Sequence, residues 1–173
     1  VVLDNSNNTF ITIKDELTAI KLYLDIEQLR VKNQFDYDII ADEELEGILM
    51  PAMLIQPYVE NSIWHGLIRK PFRGKVRIEV KKDKENIIFI IEDDGIGRAN
   101  EQNMHALRDP EKPSGMQLIQ DRINVINSMG RTKLKVTITD LADAHKFPKG
   151  TKVEITMSIY PKKSNHANKG NHY

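Results

Sequence analysis

Apolar residues recur along this chain with two periods, and the longer period predicts two helices. Between residues 12 and 32 they recur every three or four positions, as on one face of a helix. Thr12 with Asp15 gives this helix a capped start. A second helical stretch covers residues 115–129, with Gly130 as a left-handed cap.

The shorter period predicts strands. Four stretches alternate between apolar and polar residues, as half-buried strands do: residues 35–39, 76–80, 134–138 and 153–159. Residues 86–92 are largely apolar and indicate a central strand. Together the helices and strands predict an α+β protein, with helices on one face of a mixed sheet of about five strands.

A further helical segment begins at Pro51 in this interpretation. Proline is favourable in the first turn of a helix, where its missing N–H costs nothing. Pro57 then lies inside the same segment, and an internal proline removes a hydrogen bond and clashes with the preceding turn. We therefore expect this helix to bend or split at Pro57.

A carboxylate and two glycines follow the central strand. Asp93, Gly95 and Gly97 form a D-x-G-x-G pattern. Such an ending places one fixed acceptor beside a backbone that a ligand can approach closely. An ordinary turn has a similar composition, so the pattern alone leaves a turn and a ligand site equally open.

An Asn and a His on the preceding helix change that balance. Asn61 and His65 are four residues apart and share one helical face. Each alone is readily explained as a helix-packing amide or a satisfied core histidine. Combined with the Asp-Gly pattern, they favour a common ligand site.

The two motifs together resemble the N box and the G1 box of the GHKL ATP-binding superfamily. Residues 56–66 read Q-P-x-V-E-N-x-I-x-H-G, which is similar to the LytS/YehU-type sensor histidine kinases. Residues 16–30 resemble the helix that leads into this family's ATP domain, and residues 150–155 resemble its closing G-T-x-V-x-I strand. The resemblance covers residues 12–160 and implies the Bergerat (GHKL) fold, a two-layer α/β sandwich.

The resemblance implies how a nucleotide base would bind. Asp93 accepts a hydrogen bond from the adenine amine, which guanine lacks, so the site selects ATP over GTP. Thr151 corresponds to a hydroxyl that supports the adenine site. Gly95 and Gly97 let the backbone approach the nucleotide.

It also implies a phosphate site, with two departures from the family pattern. Asn61 supplies an oxygen to Mg²⁺ on the phosphates, and His65 donates to a phosphate. Gly115 and Met116 belong to the G2 box, of which either possible register keeps only one glycine. Trp64 stands where many histidine kinases have Lys; it cannot neutralise phosphate and indicates core packing.

The implied activity is that of a protein-histidine kinase. Glu60 is the candidate catalytic residue, although it is turned about 100° from Asn61 on a regular helix. The base of the hydrolysing relatives corresponds to Pro57, which argues against self-sufficient ATP hydrolysis. Phosphoryl transfer depends mainly on positioning and charge neutralisation, so a kinase needs less.

The same resemblance implies partners and a location. The γ-phosphoryl would pass to a phosphoacceptor His outside this sequence and then to a response regulator, in this family often of the LytTR type. The regulator rather than this chain would bind DNA. The full-length protein would be a homodimer anchored in the bacterial inner membrane, with this domain in the cytoplasm.

Composition is consistent with this assignment. Lys plus Arg and Asp plus Glu are both 25, so a net charge of zero gives no general attraction to nucleic acid or membrane. The absence of cysteine excludes disulfides and thiolate metal sites. The apolar stretches are shorter than the roughly 20 residues of a membrane span.

The predicted organisation has four parts: a flexible lead-in over 1–11, the end of the dimerisation and phosphoacceptor helical region over 12–33, the ATP-binding catalytic domain over 34–161, and a disordered tail over 162–173. Within the domain, the unpatterned stretch between Gly97 and Gly115 is expected to be an ATP lid.

Two other functions stay open. The departures at Trp64 and in the G2 box are also those of a catalytically degenerate nucleotide-sensing or scaffold module. A free-standing serine kinase of the anti-sigma type is the second alternative. The helix over residues 12–32 argues against it, and its apolar stripe can either pair with a second copy or cover the domain.

Overall fold

The computed structural model describes residues 10–98 and 115–159 of the 173-residue chain. Its strands and helices are, in chain order, β1 (Phe10–Thr12), α1 (Ile13–Arg30), β2 (Phe35–Ala41), β3 (Leu49–Pro51), α2 (Gln56–Asn61), a π-helical segment (Ser62–Leu67), β4 (Gly74–Asp83), β5 (Asn86–Asp93), α3 (Gly115–Ser128), β6 (Leu134–Ala142) and β7 (Pro148–Ser158). The predicted lid from residue 99, the lead-in up to residue 9 and the tail over 162–173 lie outside the described residues.

The main sheet has five strands in the order β2-β4-β5-β7-β6. β2 pairs with β4 in parallel, and the other neighbours are antiparallel. All five predicted strands are confirmed, with β5 at the centre of a mixed sheet. Gly130 has a φ of 69°, which confirms the left-handed residue predicted after α3.

One face of this sheet forms the floor of the core. Ile87, Phe89 and Ile91 of β5 are fully buried, since alternate residues of a strand point to the same face. Asp93 ends the strand on that same buried face. The alternation therefore carries a carboxylate under the helical layer.

α1 belongs to the helical layer that covers the sheet. Its start follows the predicted cap, with the Asp15 amide donating to Thr12 Oγ1 over 3.1 Å. Ile13, Ile20 and Leu24 are fully buried in the common core. Of the two possibilities left open for the apolar stripe, the structure shows that it covers the domain.

Residues predicted to be lead-in form a strand instead. Phe10 and Ile11 belong to β1, which pairs antiparallel with β3 in a small second sheet. The predicted start of a helix at Pro51 is also wrong, because Pro51 is the last residue of β3. Strands of three residues are too short to show a period in the sequence.

The prediction about Pro57 is also wrong. α2 begins at Gln56, so Pro57 lies in its first turn, where proline is compatible with the helix. The helix changes character five residues later, when it continues as the π-helical segment from Ser62. Segments of this kind are rare and frequently lie at functional sites.

Candidate functional site

A cavity of about 390 Å³ lies between the sheet and the helices. α2 and the π-helical segment form one wall, the first turns of α3 another, and the ends of β5, β6 and β7 the floor. Seven predicted site residues line it: Asn61, His65, Asp93, Gly97, Gly115, Met116 and Thr151. The fold thus brings together residues up to 90 positions apart in the sequence.

Asp93 is the buried acceptor at the floor of this cavity. The residue is only 3% exposed. Its carboxylate accepts hydrogen bonds from Ser62 Oγ over 2.8 Å and from the Gly95 amide over 2.9 Å. Burial raises the pKa of the Asp93 carboxyl, and the bonds from Ser62, Gly95 and the Thr151 backbone oppose that rise. The carboxylate is fixed in one orientation beside the cavity.

Gly95 does not line the cavity but sets how closely the surrounding backbone packs. A Cβ on Gly95 would lie 2.6 Å from Cα of Gly66 in the π-helical segment. Only glycine allows the turn after β5 to lie against that segment. The second glycine of the pattern, Gly97, has a φ of 74°, which explains why glycine is needed there.

Gly150 holds the neighbouring strand against Asp93. It has a φ of 117°, and a Cβ there would lie 1.8 Å from the Asp93 carbonyl oxygen. Thr151, the next residue, is the cross-strand partner of Asp93. The closing strand therefore places the Thr151 side chain and the Asp93 carboxylate at one end of the cavity.

Asn61 lies where α2 passes into the π-helical segment. Its Nδ2 is 3.0 Å from the sulfur of Met116 at the start of α3, so the two side chains meet across the cavity. The carboxamide oxygen of Asn61 is the atom able to ligate a hard cation. His65 lies in the same wall and is half-buried.

Glu60, the predicted catalytic residue, is not brought into the cavity. Its Oε1 accepts from Gln56 Nε2 over 2.9 Å, and it is not among the residues that line the cavity. Trp64, which the sequence predicted to pack in the core, is half-buried and packs against its edge. Its Nε1 donates to the Tyr23 hydroxyl over 3.1 Å, and Arg30 lies 4.6 Å from its ring centre.

Other lining residues were not predicted. Ser62 is buried and fixes Asp93, and its position directly after Asn61 is the one signal that could have indicated it. Arg98 also lines the cavity and forms a two-point ion pair with Asp140 over 2.7 and 2.9 Å. Tyr58, Ile138 and Val153 add apolar wall, which suits a flat aromatic group.

Within residues 10–98 and 115–159, no group of three or more His, Cys, Asp or Glu side chains could hold a metal ion. None of the helices that the structure describes is both long and apolar enough to cross a membrane.

Curated relatives of this chain include bacterial sensor kinases. It is 33% identical over 114 residues to the uncharacterized protein YwpD of Bacillus subtilis, covering 65% of this chain and 41% of YwpD. It is 33% identical over 84 residues to the sensor histidine kinase BtsS of Escherichia coli K12, covering 49% of this chain and 15% of BtsS. It is 29% identical over 126 residues to the sensor histidine kinase/phosphatase LytS of Staphylococcus aureus, covering 71% of this chain and 21% of LytS. The chain spans less than half the length of each relative.

Solved structures share its fold. The catalytic domain of histidine kinase ThkA superposes with a TM-score of 0.58 at 10% identity, covering 88% of this chain and 98% of that domain. The mycobacterial sensor histidine kinase MprB superposes with a TM-score of 0.55 at 15% identity, covering 89% of this chain and 99% of the MprB chain. No protein-family model matches the chain. The predicted fold, a mixed sheet with helices as in histidine kinase catalytic domains, is confirmed.

Proposed function

We propose that this chain, a homologue of the LytS-type sensor histidine kinases, is the ATP-binding catalytic domain of a two-component sensor kinase. The observation that carries the proposal is the Asp93 carboxylate, buried and fixed at the floor of a cavity walled by Asn61 and His65. A fixed, desolvated acceptor recognises an amine donor of a ligand strongly, because few waters compete for it.

Asp93 binds the adenine amine in this proposal, and Thr151 supports the same end of the base. A hydrogen bond to a charged group contributes about 1.5–3 kcal/mol, which corresponds to roughly ten- to hundredfold in affinity. Guanine presents a carbonyl oxygen at the equivalent position and would meet the carboxylate with a second acceptor. The site therefore prefers ATP to GTP.

Asn61 provides the protein oxygen for Mg²⁺ on the nucleotide phosphates. Mg²⁺ prefers oxygen ligands and keeps several waters, so one carboxamide oxygen is a sufficient protein contribution. When bound, the ion neutralises phosphate charge. His65, Gly115 and Met116 line the same cavity, and the backbone amides of the first turn of α3 are suited to phosphate oxygens.

The reaction we assign to the complete kinase is transfer of the γ-phosphoryl to a histidine outside this sequence. Pro57 occupies the position of the base of hydrolysing relatives, and Glu60 bonds to Gln56 rather than facing the cavity. Glu60 stays a candidate for polarising the acceptor histidine. Without that histidine, the chain binds ATP and turns it over slowly at most.

The proposed partners follow the relatives. A complex of histidine kinase ThkA with the response regulator TrrA shares this fold at a TM-score of 0.52 and supports a response regulator as partner. We assign a LytTR-type regulator, a homodimeric full-length protein, an anchor in the inner membrane and a cytoplasmic position for this domain. The exposed side chains of Leu22, Ile26 and Leu29 on α1 are consistent with a helical partner.

Thermal unfolding with nucleotides tests the proposal. Mg-ATP at 100 times its Kd stabilises the folded chain by about 2.7 kcal/mol, which raises Tm by roughly 5–10 °C for a domain of this size. GTP at the same concentration should give a much smaller shift, and Asp93→Asn should lose the preference for ATP. An unchanged Tm at millimolar Mg-ATP would instead favour the degenerate scaffold module.

A further inference from the structure

The loop that precedes α2 is held by a carboxylate from another helix. Glu16 of α1 is only 2% exposed, and its two oxygens accept from the amides of Met53 over 2.8 Å and Ile55 over 3.2 Å. α2 has no side-chain cap of its own. Glu16 therefore accepts from the amide of Ile55, the N-cap residue of α2, as the acidic residue of a capping box does, although it lies on another helix.

An arginine holds the other side of the same loop. Arg122 of α3 donates through Nη1 to the Met53 carbonyl over 2.9 Å and through Nη2 to the Ala52 carbonyl. Met53 has a φ of 54°, a left-handed conformation that few residues other than glycine adopt without support. We call residues 52–55, held between Glu16 and Arg122, the clamped loop.

The clamped loop precedes α2, and the cavity lies at the other end of that helix. Asn61 contacts Met116 at the cavity end, and Arg122 contacts Ala52 and Met53 at the other. Arg122 follows Met116 by six residues, and Asn61 follows Ile55 by six, about 9 Å along each helix. α2 and the first two turns of α3 thus run antiparallel and are bridged at two places.

We propose that Glu16 and Arg122 are positioning residues for the nucleotide cavity, and that the clamped loop couples the placement of α1 to nucleotide affinity. The proposal rests on the proposed function. Arg122, about two turns after Gly115, holds α3 to the loop before α2, and Glu16 ties that loop to α1, although neither side chain lines the cavity. A change in α1 then alters the distance between the two walls that a nucleotide must bridge.

Linkage makes this coupling reciprocal. If the clamp raises affinity for Mg-ATP by some factor, Mg-ATP must stabilise the clamp by the same factor. The hydrogen bonds that Glu16 and Arg122 make to the clamped loop all go to backbone atoms, so they do not require particular side chains at positions 52 and 53. Coupling between sites usually amounts to roughly 5–150-fold in affinity.

The first test measures Mg-ATP affinity by calorimetry at a temperature where circular dichroism shows each variant to be folded. We expect Arg122→Gln and Glu16→Gln each to weaken Mg-ATP binding about five- to tenfold. Arg131→Gln and Glu44→Gln remove exposed groups of the same types and should bind like the unmodified chain. Because the affinity is that of folded protein, loss of stability alone does not change it.

The second test uses the unmodified chain and needs no variant to fold. Amide hydrogen exchange at Met53 and Ile55, whose donors reach Glu16, should slow at least fivefold with saturating Mg-ATP. If the unmodified chain binds Mg-ATP but the exchange of the Met53 and Ile55 amides is unchanged, the inference is overturned while the proposed function stands. The same holds if both variants bind Mg-ATP as tightly as the unmodified chain. Failure of the unmodified chain to bind Mg-ATP would overturn the proposed function.

Discussion

At the scale of single residues, the site depends on a charge placed where water hardly reaches. The Asp93 carboxylate is buried, and burial raises its pKa because the charged form loses hydration. Its place after an apolar strand and before two glycines could be predicted from the sequence. The Ser62 contact could not, because it depends on how the π-helical segment turns its side chains toward β5.

Replacing Asp93 by Asn should separate stability from binding. Asn keeps the shape and can accept from the Gly95 amide, while the Ser62 hydroxyl can reverse and accept from the new amide group. At pH 7 the unfolding Tm of Asp93→Asn should equal or exceed that of the unmodified chain, since a buried charge has been removed. Affinity for Mg-ATP should nevertheless fall roughly ten- to hundredfold, and the preference over GTP should disappear.

The pH dependence has a definite sign. The folded pKa of Asp93 lies above its unfolded value of about 3.9, so the cost of the charge is present at neutral pH and disappears as pH falls through the folded value. The difference in Tm between Asp93→Asn and the unmodified chain should therefore shrink toward zero near pH 4. A variant that is several degrees less stable at pH 7 would contradict this account of the buried carboxylate.

At the scale of elements, the local sequence pattern predicted the helices and strands whose own residues carry an apolar signal. Four strands of the sheet, α1 and α3 each carry an apolar period of their own, β5 is a largely apolar run, and all six of these elements and β5's position were predicted from those signals. β1 and β3 were missed because they depend on pairing between residues 10–12 and 49–51, which leaves no local signal. The start of α2 was misplaced because Pro51 pairs in a strand and because the N-cap residue Ile55 donates to Glu16, 39 residues away, and neither contact leaves a local signal.

The contact between β7 and β5 gives a prediction at this scale. Gly150→Ala places a methyl group against the Asp93 carbonyl and forces alanine into a left-handed φ, so we expect a loss of at least about 3 kcal/mol in unfolding free energy. Chemical denaturation measures it. Gly47→Ala is the matched control, since Gly47 has open space around it, and should change stability by less than about 0.5 kcal/mol.

An equal and small effect at both glycines would mean that β7 can move away from Asp93 without cost. That result would also remove the reason for Thr151 to lie at a fixed place in the cavity.

At the scale of the whole molecule, the cavity forms where three separately predicted segments meet. The N-box helix, the end of β5 and the start of α3 are far apart in sequence, and the resemblance to known kinases implied that they share one site. Physical pattern alone left a turn and a ligand site equally open at Asp93. Neither the physical pattern nor the resemblance predicted the ion pair between Arg98 and Asp140. That pair arises from tertiary packing between the end of the Asp-Gly motif and β6.

A crystal structure of this chain with Mg²⁺ and a non-hydrolysable ATP analogue tests the central claim most directly. We predict the adenine amine within about 2.7–3.2 Å of an Asp93 carboxylate oxygen, with the Asn61 carboxamide oxygen on the Mg²⁺ that the phosphates hold. A nucleotide bound outside the cavity, or with its base away from Asp93, would contradict the account.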